Sequence, residues 1–298
     1  MFSGAFTALI TPFRNGEVDV EALENLVEFQ IQHGIHGLVP CGTTGESPTL
    51  SEDEDRLVIE TVVRVSNGRV PVIAGTGSNN TESAIKYTKM AEEAGADGSL
   101  QVTPYYNKPT QEGLYRHFVT IAENTSLPLI LYNIPGRTSV AIEPATIARL
   151  AEDIPNIVGV KEATLSTGIA ADIKYLCGEE FCVLSGDDPM TLPIMALGGS
   201  GVIAVTSNIA PGIYADMVNA LMEGDFDRGR EIHYQLLPLF KALFVETNPI
   251  PVKTAASLLG LCSDEMRLPL IPMSGENLRG LEEALERNGH LLPTPEEV

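Results

Sequence analysis

An eight-unit β/α barrel is the fold this sequence predicts, and three observations predict it. Short apolar runs recur along the chain at the roughly 30-residue spacing of β/α units. Segments with helical period lie between them, and no long polar linker interrupts the alternation. The chain has 298 residues, an ordinary length for one such barrel with an addition. An open doubly wound sheet is the alternative for the same alternation.

The runs, in order, are AFTALITP (5–12), GLVPCG (37–42), PVIAGTG (71–77), GSLQVTP (98–104), PLILYNIP (128–135), IVGVKE (157–162), CVLSGD (182–187) and GVIAVTS (201–207). They are short, rich in β-branched residues and bounded by Gly or Pro, as strands covered on both faces should be. Helix ends are readable between them. Asp19 caps a helix through Phe29, Ser51 with Glu54 makes a capping box before LVIETVVRV, and Gly34, Gly68 and Gly95 sit where left-handed caps belong. Ser99 and Gln101 share one face of their run, which predicts a structural hydrogen-bond network in the barrel interior. YADMVNALMEG completes the eighth unit, so residues 1–224 read as the catalytic barrel. Residues 225–298 read as a C-terminal helical extension that packs on the barrel or mediates assembly; its last stretch, HLLPTPEEV, should add little to the core.

Hydrophobic content of 44% suffices for a large core, and the net charge of −21 argues against nucleic acid and anionic membranes as partners. No apolar run reaches the ~18 residues of a membrane span, and no signal segment opens the chain, so a cytoplasmic location is expected. Cys41, Cys177, Cys182 and Cys262 form no CxxC pair and have no histidine at ligand spacing; reduced thiols and no metal centre are expected. Gly75-Thr76-Gly77 lacks the third glycine of a dinucleotide fingerprint, and no cofactor is inferred.

One residue breaks the apolar pattern. In NIVGVKEAT, Lys161 stands inside what otherwise reads as a buried strand. An amine with the usual pKa of ~10.4 is almost wholly protonated at neutral pH, whereas burial lowers that value and makes a nucleophile. A lysine whose stem crosses the strand end and whose head reaches water is the structural alternative. Glu162 is not its natural partner, because adjacent strand residues face opposite ways. Chemistry in a barrel belongs at the carboxyl ends of the strands, and an unusual set of residues stands there. The second strand ends in CGTTGE, the fourth in TPYYN, the fifth in YNIPGRT and the sixth at Lys161. Thr43 and Thr44 offer hydroxyls and a nest of backbone N–H groups for a carboxylate, Tyr132 a phenol, and Arg137 a guanidinium. Together they suit a Schiff-base site.

GTTGES, TPYYNKPTQEG, YNIPGRT, GVKEAT and GVIAVTSN, in this order over nearly the whole chain, resemble the dihydrodipicolinate (4-hydroxy-tetrahydrodipicolinate) synthase family. That family belongs to the pyruvate-dependent class I aldolases on a (β/α)8 barrel. The resemblance implies that Lys161 forms an imine with pyruvate, with Thr43 and Thr44 on its carboxylate. Tyr132, Thr43 and Tyr106 would relay protons, Tyr106 coming from a neighbouring subunit of a homotetramer. Arg137 would hold the carboxylate of L-aspartate 4-semialdehyde, the backbone carbonyl of Ile203 would orient the site, and the product would feed the diaminopimelate route to lysine. An N-acetylneuraminate or 2-keto-3-deoxy sugar-acid aldolase is the alternative. The resemblance also marks a lysine-binding cleft at Ser47, Pro48, Glu52, Asp55, Asn79, Ser83 and Tyr105. Regulated members carry histidines at the positions of Glu52 and Asp55 and a glutamate at that of Ser83, so weak or absent lysine inhibition is expected here.

Two other classes compete with this reading. A metal-dependent aldolase would use Asp187 and Asp188, although Asp188 before Pro189 reads as a helix N-cap. A non-catalytic sensor on the same barrel is disfavoured by lysine, tyrosine and arginine occurring together.

Overall fold

The computed structural model describes residues 2–292. Eight parallel strands form the barrel: β1 Gly4–Ala8, β2 Gly37–Val39, β3 Ile73–Gly75, β4 Gly98–Val102, β5 Leu129–Asn133, β6 Ile157–Glu162, β7 Cys182–Ser185 and β8 Gly201–Ala204. Hydrogen-bonded neighbours run β2-β1-β8-β7-β6-β5-β4-β3. The ring closes between β2 and β3 through the Leu38–Val72 bridge and the Gly75 N–H donating to Pro40 O at 2.9 Å. Closure removes the open-sheet alternative. The apolar runs overshoot the paired strands because their Pro and Gly ends carry the chain out of the ladder. A small antiparallel hairpin, Phe13–Arg14 with Glu17–Val18, follows the first run.

The outer helices are α1 Val20–Gln32, α2 Glu52–Ser66, α3 Thr81–Glu93, α4 Gln111–Ala122, α5 Pro144–Asp153, α6 Thr167–Cys177, α7 Thr191–Ala196 and α8 Pro211–Met222. Asp19 caps α1, accepting from Ala22 N, and the helix runs three residues beyond Phe29. The Ser51–Glu54 capping box is formed in both directions. Gly34, Gly68 and Gly95 have φ of 78°, 70° and 86°, the left-handed caps expected.

Side chains alternate between two compartments. Phe6, Val39, Ile73, Leu100, Ile130, Leu184 and Ile203 fill the lumen. Phe6 occupies space that Gly37 leaves open, since a Cβ there would lie 2.1 Å from its ring. Leu131, Val160 and Val183 face outward onto Leu114, Phe118, Ile147 and Ile173 of the helices. The Ser99–Gln101 network belongs to this outer layer and not to the lumen. Gln101 Nε2 lies within hydrogen-bond distance of three hydroxyls, Ser99 Oγ at 2.7 Å, Thr76 Oγ1 at 2.8 Å and Thr88 Oγ1 at 2.7 Å, the last on α3.

One irregularity matters for function. Leu129 pairs with Ile157 but Ile130 pairs with Gly159, so β6 carries an extra residue, Val158. Without that bulge, period-2 alternation from the outward Ile157 would send Lys161 outward too. With it, Val160 joins the outer core and Lys161, opposite Tyr132, turns into the lumen.

After the barrel come α9 Phe226–Ala242, α10 Ile250–Leu258 and α11 Gly275–Arg287. α9 packs along α8, with Leu236, Leu239 and Phe240 joining Tyr214, Met217 and Val218 in one apolar cluster. Leu291 and Leu292 also pack against that cluster, so part of HLLPTPEEV does serve the core; residues 293–298 lie outside the described residues. Among the described residues, no helix is long and apolar enough to cross a membrane.

Candidate active site

A cavity of about 680 Å³ opens at the carboxyl ends of the strands, and Thr43, Thr44, Tyr132, Arg137 and Lys161 all line it. Lys161 is only 6% exposed, and its Nζ lies 4.3 Å from the centroid of the Tyr132 ring. Burial lowers its pKa to about 7; the Asp188 carboxylate opposes that fall and the Arg137 guanidinium adds to it. Burial pushes the Tyr132 phenol up to about 12, against the pull of Arg137 and a hydrogen bond with Thr43. The lysine is therefore available as a free amine at neutral pH while the phenol keeps its proton. Glu162 faces away, accepting from Asn133 Nδ2 at 3.0 Å and Thr164 N at 2.6 Å.

The loop after β2 is held from several sides. Glu46 N–H donates to Thr43 O, and Thr11 Oγ1 donates to Gly45 O at 2.7 Å. Glu46 itself sits in the left-handed region at φ 55°. Its Oε1 meets Lys253 Nζ at 2.6 Å with both side chains fully buried, and its Oε2 accepts from Arg267 N. Among the described residues two lysines are buried, and they are of different kinds. Both amines lie over an aromatic ring, Lys253 over Phe13 at 4.0 Å and Lys161 over Tyr132 at 4.3 Å, but Lys253 has a carboxylate in direct contact whereas Lys161 has a guanidinium nearby. Burial lowers both amines, but Glu46 opposes the fall at Lys253 and occupies its amine, which leaves Lys161 the better-placed nucleophile.

Arg137 lies in a short helical turn, Pro135–Thr138, that follows β5, and its Nη2 donates to Asn248 O at 3.1 Å. Asn248 also donates from Nδ2 to Thr44 Oγ1 at 3.0 Å and itself lines the cavity. Sequence reasoning did not single it out. The signal available was its place before Pro249 in NPIPVK, 87 residues beyond Lys161 and farther still from the other members of the site that line the cavity with it: Thr43, Thr44, Tyr132 and Arg137.

Other expected residues fall elsewhere. Tyr106 is 91% exposed, has φ 71° and does not line the cavity of its own chain. Its loop is clasped by Asn79 Nδ2 donating to Tyr105 O at 3.1 Å and Asn107 Nδ2 donating to Asn79 O at 2.8 Å. Ile203 lies in the lumen below the cavity, which Val205 reaches instead. Ser47, Pro48, Asp55, Ser83 and Tyr105 line an arm of the same cavity. Glu52 does not; it pairs with Lys86 at 2.6 Å. Burial and the neighbouring Glu54 and Glu52 raise the Asp55 carboxyl to about 7, against a hydrogen bond from Cys41, so it is not the fixed negative charge its place in the first turn suggests.

Asp188 is not a helix cap, because α7 begins only at Thr191 with Met190 before it. Its Oδ1 accepts from Val205 N at 3.0 Å, and its Oδ2 from Thr206 N at 2.7 Å and Thr206 Oγ1 at 2.5 Å. Asp187 Oδ1 accepts from Met190 N at 3.2 Å. With both Asp188 oxygens already taken by donors from the end of β8, the pair is poorly suited to hold a metal.

Comparison with known proteins agrees with this geometry. The Dihydrodipicolinate synthetase family model matches residues 1–288. The 4-hydroxy-tetrahydrodipicolinate synthase of Nitratidesulfovibrio vulgaris (strain DP4) is 56% identical over 290 residues, covering 97% of this chain and 99% of that protein. The crystal structure of dihydrodipicolinate synthase from Aquifex aeolicus superposes with a TM-score of 0.96 at 53% identity, over 98% of this chain and 100% of that one. The chloride-inhibited dihydrodipicolinate synthase from Acinetobacter baumannii, solved with pyruvate, superposes with a TM-score of 0.95 at 44% identity, over 97% and 99% of the two chains.

Proposed function

The chain belongs to the dihydrodipicolinate synthetase family, and from that membership we propose how its own residues carry out the 4-hydroxy-tetrahydrodipicolinate synthase reaction. The reaction is a lyase-class condensation of pyruvate with L-aspartate 4-semialdehyde, a step of the diaminopimelate route to lysine. The observation that carries the proposal is Lys161, turned into the lumen by a bulge and brought by burial to a pKa of about 7, where a large share of the amine is free.

Lys161 Nζ attacks the ketone carbon of pyruvate, and water leaves as the imine forms. Thr43 and Thr44 hold the pyruvate carboxylate with hydroxyl and backbone N–H groups. The protonated imine draws electrons from the methyl group, whose proton passes to the relay of Tyr132, Thr43 and a partner's Tyr106, giving the enamine. The enamine carbon attacks the aldehyde, whose oxygen takes a proton from the same relay. The semialdehyde's amine then attacks the imine carbon, closes the ring and expels Lys161. Arg137 pairs with the semialdehyde's carboxylate, and the Ile203 carbonyl orients the lumen side. The imine itself is the electron sink, so no metal or other cofactor is called for.

Tyr106, exposed and held in a left-handed conformation by its Asn79–Asn107 clasp, is shaped to be given to a second copy. The catalytic unit is then a two-fold dimer, and two dimers pair as a homotetramer acting in the cytoplasm. Within each chain, residues 1–224 are the catalytic barrel and 225–298 the helical extension. The test is turnover: purified protein should condense pyruvate with aspartate semialdehyde. Faster cleavage of N-acetylneuraminate or a 2-keto-3-deoxy sugar acid would favour the sister aldolases instead.

A further inference from the structure

Asn248 stands where the two anion-binding elements of the site meet, although it belongs to neither. Its side-chain Nδ2 donates to Thr44 Oγ1 at 3.0 Å, and its main-chain carbonyl accepts from Arg137 Nη2 at 3.1 Å. Thr44 is on the loop after β2 and Arg137 on the turn after β5, on well-separated parts of the ring. Apart from Asn248, no hydrogen bond of the described structure joins these two residues. The residue is 7% exposed and lines the cavity, and its Oδ1 is buried with no partner. A buried polar atom left unsatisfied is disfavoured unless the group has another use.

The backbone around Asn248 is itself fixed. Ile250 N donates to Thr247 O at 2.9 Å, and α10 starts at Ile250. One turn on, Lys253 makes its buried contact with Glu46 at 2.6 Å, which fastens the same loop that carries Thr44. The C-terminal extension therefore grips the pyruvate-carboxylate loop at Thr44 and, through Lys253 and Arg267, at Glu46, and it grips the Arg137 turn through the Asn248 carbonyl.

We propose that Asn248 is a positioning residue that sets Thr44 and Arg137 against each other, and so fixes the separation of the carboxylates of the two substrates. The inference rests on the Schiff-base reading above. By holding the Thr44 hydroxyl as an acceptor of its amide, Asn248 leaves that hydroxyl's own proton free to be donated to the pyruvate carboxylate. By accepting from Nη2, it fixes one arm of the Arg137 fork and leaves the remaining N–H groups for the second carboxylate. Asn248 touches the residues that hold the substrates, and acts through them.

The experiment is a double-mutant cycle read by pyruvate-dependent cyanoborohydride trapping of Lys161. Asn248→Ala should raise the half-saturating pyruvate concentration about tenfold, the effect of one buried hydrogen bond. In a Thr44→Val background the same change should add less than about twofold, since the two residues then share one interaction. A structural role alone would give additive effects, and additivity overturns the proposal. Asn248→Asp is isosteric and carries the test if the alanine variant does not fold. It places a negative charge beside both carboxylates, so half-saturation for pyruvate and semialdehyde should both rise, and rise more at pH 8 than at pH 5. Values within about twofold of wild type at both pH values overturn the proposal. Failure of wild-type protein to be trapped by pyruvate would instead refute the Schiff-base reading itself.

Discussion

The rate at which pyruvate is captured by Lys161 should turn on a proton lost near neutrality. An ordinary lysine, with a pKa of ~10.4, has roughly one neutral amine in 2,500 at pH 7. Burial brings Lys161 to about 7, where about half of the molecules carry the free amine. The structure thus supplies on the order of a thousandfold more nucleophile at neutral pH than an exposed lysine would. The assay is single-turnover trapping with saturating pyruvate and cyanoborohydride, followed by intact mass, from pH 5 to 10. The trapping rate should fall about tenfold per pH unit below pH ~7 and level off above it. Two variants fix the cause. Arg137→Ala removes a cation that depresses the amine's pKa and should move the inflection up, while Asp188→Asn removes a carboxylate that opposes the fall and should move it down. A wild-type rate still climbing between pH 8.5 and 10 would refute the reasoning, because the amine would then be titrating as if in water.

Three further outcomes follow from the same geometry. Lys161→Met should abolish turnover yet stabilise the fold by about 2–4 kcal/mol at pH 6. Because the folded pKa of Lys161 is depressed, the unfolded chain binds the extra proton between about 7 and the usual lysine value; the destabilisation is complete below pH 7 and fades as pH rises through that window. Equal gains in thermal midpoint at pH 6 and pH 10 would contradict this. Tyr106→Phe protein should regain activity when mixed and re-assembled with Lys161→Ala protein, since a mixed dimer holds one complete site; no recovery would place Tyr106 outside the partner's site. Lysine should inhibit weakly or not at all, because Glu52 is engaged by Lys86, Asp55 is partly protonated near neutrality and Ser83 bears no charge. Calorimetric binding well below millimolar lysine would show that the acidic pair supplies the missing ligand charge.

Strand ends and helix caps were readable because each depends on a few neighbouring residues: Pro and Gly at the ends of runs, Ser51 with Glu54, and the glycines after helices. Lys161, Tyr132, Thr43, Thr44 and Arg137 were readable because barrel topology brings successive strand ends to one rim. The bulge at Val158 was not, since the lysine's inward direction depends on registry with β5 and simple alternation predicts the reverse. Asp188 was misplaced for a related reason. Asp-Pro is a good local cap signal, but the competing donors, Val205 and Thr206, lie 17 and 18 residues along the chain, just beyond β8. Asn248 and the Lys253–Glu46 pair depend on contacts more than two hundred residues apart, for which no local pattern exists.

The central claim is that Lys161, of the two buried lysines, is the one that forms the imine. Pyruvate with borohydride, followed by proteolysis and mass mapping, tests it most directly. The expected result is a single reduced pyruvyl adduct on Lys161 and an unmodified Lys253, whose amine is held by Glu46. An adduct on Lys253, or pyruvate-dependent labelling that persists in Lys161→Ala protein, would contradict it.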